Sequence, residues 1–259
     1  MNTFTPRPGS APLSRQVAAQ ARMEARLMLR NGEQLLLALV IPVIVLVGGV
    51  LAADRLGLDL SGHKPVDVLT PGVLALAVMS TAFTSLAIAT GFERRYGVIK
   101  RLGSSPLPRH GLLLGKVLAL LNVVVLQLVV LVVAGLVLGW RPSLVHPLVS
   151  AGSVLVAVAA GTWAFAALGL FVAGVLRAEA TLALANLVYL LLMAGGGVVL
   201  PTAAYGAAAG PISWLPSAAL GDAMRAALVD ARLDVTAIAI LVGWGVLATL
   251  LTARTFRWE

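Results

Sequence analysis

Apolar residues in this chain come in long runs rather than in alternation. Six stretches, 35–53, 68–90, 111–139, 144–173, 181–200 and 235–253, are almost wholly apolar. Each is close to or above the roughly 20 residues that a helix needs to cross the hydrocarbon core of a bilayer. Short polar segments separate them. Helices satisfy their own backbone groups in lipid, so this pattern predicts an all-α integral membrane protein with six transmembrane helices. Pro42 and Pro71 lie in or near spans, where neighbouring helices make up for the lost backbone bonds.

The polar segments have patterns of their own. Residues 12–31 have helical spacing, with Arg15, Arg22, Arg26 and Arg30 on one arc and Leu13, Val17, Leu27 and Met28 roughly opposite. This predicts an amphipathic helix lying in the membrane interface, its arginines toward anionic headgroups. Glu24 falls within the apolar arc and does not fit it. Residues 1–34 thus form a tail and interfacial helix, and residues 35–259 the membrane domain. No cleavable signal peptide is expected, because a polar, basic stretch precedes the first apolar run.

Between the second and third runs lies the most charged interruption, Gly91 to Lys116. Phe92, Tyr96 and Ile99 recur at i, i+4 and i+7, the face of a short helix, with Glu93, Arg94, Lys100 and Arg101 on other faces. Such a helix can pack on the bundle and offer charges to a soluble partner, or it can simply be a basic loop. The segment 201–234 is apolar but broken by Pro201, Gly206, Gly210, Pro211 and Pro216. It predicts re-entrant half-helices on the other side, including an amphipathic helix over 217–229 started by Pro216.

Composition fits this reading. Of 259 residues, 59% are hydrophobic and 12% charged, against about 25% charged in soluble domains. The net charge of +8 does not point to nucleic acid, because it follows the loops between apolar runs. With the N-terminus inside, fourteen Lys/Arg fall on the cytoplasmic side and five outside, which predicts cytoplasmic N- and C-termini. The absence of cysteine excludes disulfides and thiolate chemistry. Arginine far outnumbers lysine, and Ala, Val, Leu and Gly dominate, as in a GC-rich bacterial genome.

Candidate chemistry is sparse. His110-Gly111 to Gly115-Lys116-Val117 looks superficially like a P-loop. Only three residues separate its glycines and no Ser/Thr follows the lysine, so it is no nucleotide site. The histidines are scattered, and no metal or catalytic set is apparent. Polar residues within spans are candidates for a substrate pathway: Thr84, Asn122, and Asn186, Tyr189 and Met193 on one face of the fifth span. They are equally suited to hydrogen bonding between helices. The lack of charges deep in the spans disfavours an ion-coupled transporter.

Glu93-Arg94-Arg95-Tyr96-Gly97, Lys100-Arg101-Leu102, Ser105-Pro106-Leu107-Pro108-Arg109 and Gly115-Lys116 together resemble the signature of ABC-2-type transporter permeases. The resemblance extends over the chain, from the basic N-terminal helix to the Pro-rich segment before the last span and the closing Phe256-Arg257-Trp258-Glu259. The family more often has an acidic residue near the position of Arg95. The resemblance implies a permease that is not itself an enzyme and binds no cofactor. ATP and Mg would act on a separate ATP-binding-cassette subunit, docked by a coupling helix at Phe92–Leu102. Phe92, Glu93, Arg94, Tyr96, Gly97, Lys100 and Arg101 would make that contact. A second permease copy or a relative would complete the transporter, among the lipids of a bacterial plasma membrane. The few aromatics resemble the antibiotic and multidrug export branch. A lipid or lipid-linked glycan exporter is the alternative within the family, and a partner-free secondary transporter the alternative outside it.

Overall fold

The computed structural model describes residues 11–30, 32–56, 63–98, 108–143 and 145–255. Lys100, Arg101 and the closing residues 256–259 lie outside the described residues, as do most of the Ser-Pro-Leu-Pro turn and the second half of the expected coupling helix.

Among the described residues the chain is helical throughout. The elements are α1 (Leu13–Arg30), α2 (Gly32–Leu56), α3 (Pro65–Met79), α4 (Leu86–Arg95), α5 (Arg109–Val137), α6 (Pro147–Val175), α7 (Ala178–Gly195), α8 (Ala209–Ser213), α9 (Pro216–Leu228) and α10 (Val235–Thr255). A π-helical segment, Ser80–Ser85, joins α3 to α4, so Pro65–Arg95 is one rod of 31 residues. Proline opens α3, α6 and α9 at the first turn, where its missing N–H has no intrahelical partner to lose.

Five helical rods are long and apolar enough to cross a membrane: Pro65–Arg95, the Leu114–Val137 part of α5, α6, α7 and α10. α2 is apolar over Ala38–Ala53 and packs beside α3. The α3–α4 rod is the centre of the bundle. Every residue of α3 from Val68 to Met79 is buried, whereas α5, α7 and α10 present exposed leucines and valines on their outer faces. Exposed apolar side chains are what a bilayer requires of the surrounding helices.

Small residues set the closest approaches. The π segment lets the rod's backbone bulge toward α6, and Gly169 makes room for it. A Cβ at Gly169 would lie 2.8 Å from the Phe83 carbonyl oxygen, a backbone atom that cannot swing aside. Gly169→Val is therefore expected to destabilise the fold by about 1–3 kcal/mol, the usual range for overpacking. A thermal-shift measurement in mild detergent checks this; an unchanged Tm would mean that the α6 contact is slack.

Two sequence expectations change here. The helix carrying Phe92 is not a separate element at its start: it is the last turn of the α3–α4 rod, which ends at Tyr96. Gly97 follows with φ +67°, a left-handed conformation suited to glycine after a helix. The helix that carries Phe92 and Tyr96 thus ends before Gly97, and Ile99, the third residue of the expected face, lies outside the described residues. The amphipathic helix expected over 217–229 is also buried on nearly every side. After a 3₁₀ stretch (Thr202–Ala208) and α8, nearly all of α9 is buried against α3, α6 and α10.

Candidate functional site

Charged side chains from four helices converge where α4 ends. Lys116, on the second turn of α5, is only 3% exposed. Its Nζ donates to Glu93 Oε1 at 2.6 Å and to Glu24 Oε1 at 2.9 Å. Gln20 Nε2 also donates to Glu24 Oε1, at 2.9 Å. One lysine thus ties the interfacial helix α1, the end of the central rod and the start of α5. A buried ammonium needs such partners, because leaving water costs far more than a single neutral contact returns.

The next two residues reach the other way. Arg94 donates to the carbonyls of Ala173 and Leu176, which end α6. Arg95 pairs with Glu179 on the first turn of α7. Phe92 and Tyr96 stack with centroids 6.1 Å apart, and the Arg95 guanidinium lies 5.8 Å from the Tyr96 ring. Tyr96 is 63% exposed. The last turn of α4 is thus braced on both flanks and presents an aromatic outward just before the left-handed turn at Gly97.

Glu24 corrects the reading of α1. The inward face is Val17, Gln20, Ala21 and Glu24, lying along α5, while Leu13 and Leu27 are exposed. The misfit carboxylate is thus part of the contact rather than a flaw in it. Arg15, Arg22, Arg26 and Arg30 are all exposed. Gly111–Lys116 lies within helix α5, and its lysine serves two carboxylates.

The span residues do not assemble into one lining. Asn122 is exposed and donates to the Leu118 carbonyl of its own helix, at 2.8 Å. Asn186 is exposed, Tyr189 buried and Met193 half-buried, so this face of the fifth span is split between surroundings. Thr84 is buried in the π segment, where its hydroxyl has no hydrogen-bond partner. A polar link deep between spans is Gln127, which is fully buried. It accepts from the Thr81 hydroxyl at 2.6 Å and donates to the Ala38 carbonyl at 3.0 Å. It joins α5 to the central rod and to α2.

At the opposite end, Arg225 corrects another reading. One of the five basic residues assigned from sequence to the outer side, it is not solvated there but 8% exposed within α9. Its guanidinium donates to the carbonyls of Gly197, Val198, Val199 and Leu200 at 2.8–3.3 Å and pairs with Asp222 at 2.9 Å. Asp222 also accepts from the Thr202 hydroxyl. Four consecutive carbonyls with no helix to serve are thus satisfied by one side chain. An arginine three residues after an aspartate in an Ala-rich segment was the only sequence signal. Near this end an apolar cleft of about 410 Å³ is lined by Trp214, Ile240, Trp244 and Leu247, among others.

A helical bundle with several membrane-length rods and a braced charged junction at one end defines a multi-pass membrane protein. Its sequence matches the model of the ABC-2 type transporter family over residues 15–229, and the chain belongs to that family. The match includes α1 and α9 as well as the junction. Members form the membrane component of ABC transporters and associate in general with an ATP-binding-cassette subunit. No curated protein matches the chain.

Proposed function

We propose that this chain is the permease of an ATP-driven exporter, with α4's last turn and the residues that follow it forming the coupling surface for a separate ATPase subunit. The observation that carries this is the Glu24–Lys116–Glu93 network. A push on the end of α4 passes through Lys116 to both α1 and α5, so three helices respond together. The exposed Tyr96 and the turn at Gly97 are the part left for a partner to grip.

In this reading the charged junction faces the cytoplasm, with both termini on that side, as the distribution of lysine and arginine supports. A second permease copy or a relative completes the pathway in a bacterial plasma membrane. ATP and Mg act on the partner subunit. The cargo is a hydrophobic or amphipathic compound of the antibiotic or multidrug kind. The uncharged pathway candidates and the Trp214–Trp244 cleft support a ligand of low charge. Among the described residues, the buried Asp, Glu, Lys and Arg side chains sit at the two ends, Glu24 and Lys116 at one, beside the half-buried Glu93, and Arg225 at the other, which does not suit ion coupling.

The test is to purify the chain with its associated ATPase and measure hydrolysis and export together. Glu93→Ala removes one arm of the network, and Gly97→Pro imposes a negative φ where +67° is required. Both variants are expected to insert normally and keep ATP hydrolysis. Export should fall by roughly 5- to 150-fold, the span of a lost coupling free energy of about 1–3 kcal/mol. Unchanged export in both would remove the coupling assignment. Recovery of no ATP-binding subunit with a well-folded chain would favour a self-sufficient transporter.

A further inference from the structure

A proline inside a helix leaves one carbonyl without its helical donor. Pro42 stands near the middle of α2 and is buried. It has no N–H, so the carbonyl four residues earlier, that of Ala38, cannot receive the usual bond. In water such a group turns to solvent, and at membrane depth it needs a donor from the protein. α2 contains no serine or threonine that could bend back to it. Gln127 of α5 supplies the donor instead, its Nε2 lying 3.0 Å from the Ala38 oxygen. The other end of the same carboxamide accepts from the Thr81 hydroxyl at 2.6 Å. Thr81 belongs to the π segment of the central rod.

Two departures from regular winding are thus joined by one side chain. A proline and a π turn are each recognised causes of bending in long helices, and here they lie in neighbouring rods that both touch α5. Gln127 is fully buried, near the middle of the membrane-length part of α5. Breaking its two bonds would strand a carbonyl, a hydroxyl and a carboxamide in a medium of low polarity, where each is costly. The arrangement of α2 therefore depends on a residue that α2 does not contain.

We infer that α2 hinges at Pro42 and that Gln127 is the latch of this hinge, fixing the two halves of α2 to each other and to the π segment. With the latch closed, α2, α5 and the central rod keep one arrangement. With it open, the two halves of α2 pivot about Pro42. The inference rests on these bonds, and not on the cargo or on the ATPase contact.

A distance measured across Pro42 tests it. The chain has no cysteine, so nitroxides attached through Gly32→Cys and Leu51→Cys report on α2 alone. Both positions are exposed, and a Cβ at Gly32 meets nothing within 4 Å. A straight helix would hold their backbones about 28 Å apart, at roughly 1.5 Å per residue. The full chain is placed in lipid nanodiscs with an excess of unlabelled protein, and pulsed electron resonance reads the distance within one chain. Wild type is expected to give a single narrow distribution, and Gln127→Leu a broad one. Adding Pro42→Ala to Gln127→Leu should narrow it again, because the N–H restored at position 42 serves the Ala38 carbonyl. Asn122→Leu removes an exposed carboxamide that bonds within α5 and should leave the width unchanged. Gln127→Leu should also lower the Tm by roughly 2–12 °C, the span for stranding a buried polar group in a chain of this size. In the Pro42→Ala background the same substitution should cost less than half as much. Thr81→Val keeps Gln127 but removes its anchor. It should give the same changes in smaller measure, and it carries the test if Gln127→Leu folds poorly. A distribution as narrow as wild type's in the latch variants would overturn the inference, as would equal Tm losses in the two backgrounds.

Discussion

Arg225→Leu is expected to lower the Tm in mild detergent by roughly 6–20 °C. The figure combines about 3–5 kcal/mol for breaking a buried charge set with about 2–4 °C per kcal/mol for a chain of this size. The leucine would occupy similar space, but four carbonyls from 197–200 and the Asp222 carboxylate would lose their donor. Arg225→Lys should fall between, because a single ammonium cannot span the sites that a planar fork reaches. Gly72→Val attacks the same knot from α3: a Cβ there would lie 2.7 Å from the Val198 carbonyl oxygen and also against Val199. Hydrogen exchange of residues 196–201 should quicken in all three variants. A Tm for Arg225→Leu within measurement error of wild type would show that these carbonyls find other donors at no cost.

At the other end, Lys116→Met is expected to cost about 3–5 kcal/mol, since Glu24 and Glu93 would remain buried without their shared cation. The informative experiment is the rescue. Adding Glu24→Gln and Glu93→Gln to Lys116→Met removes every charge of the network, and most of the lost stability should return, because buried ion sets are often replaceable by neutral groups. Export coupled to hydrolysis should not return, since the three helices would no longer be joined by charge. Rescue of both would make the network structural only. Failure to rescue stability would mean that the lysine's packing, rather than its charge, matters.

Five of the six expected spans were legible as membrane-length rods because membrane solvent imposes a coarse rule: long apolar runs become helices wherever they occur. The basic arc of α1 and the helix started by Pro216 were legible for the same reason, periodicity. What the sequence hid was pairing at a distance. Glu24 reads as an error in an amphipathic pattern until Lys116, 92 positions later, is placed beside it. Arg225 reads as a loop charge because nothing in a one-dimensional pattern separates a solvated arginine from one that closes over four carbonyls. For the pathway residues the limit was of another kind. Asn186, Tyr189 and Met193 share helical phase, but phase does not say how far a neighbouring helix extends around them. Lys100 and Arg101, the other half of the charged stretch, lie beyond the described residues.

The π segment Ser80–Ser85 sets the rotational phase of everything after it on the same rod. One residue turns an α-helix by about 100°, and a π turn holds about one residue more than an α turn. Glu93 meets Lys116 and Arg94 meets the end of α6 only because that extra residue is absorbed some ten positions earlier. Were the turn to tighten into regular α-helix, the last turn of α4 would be screwed round by about a quarter revolution and both sets of partners would part at once. The middle of the central rod thus fixes the direction in which the charged face at its end points.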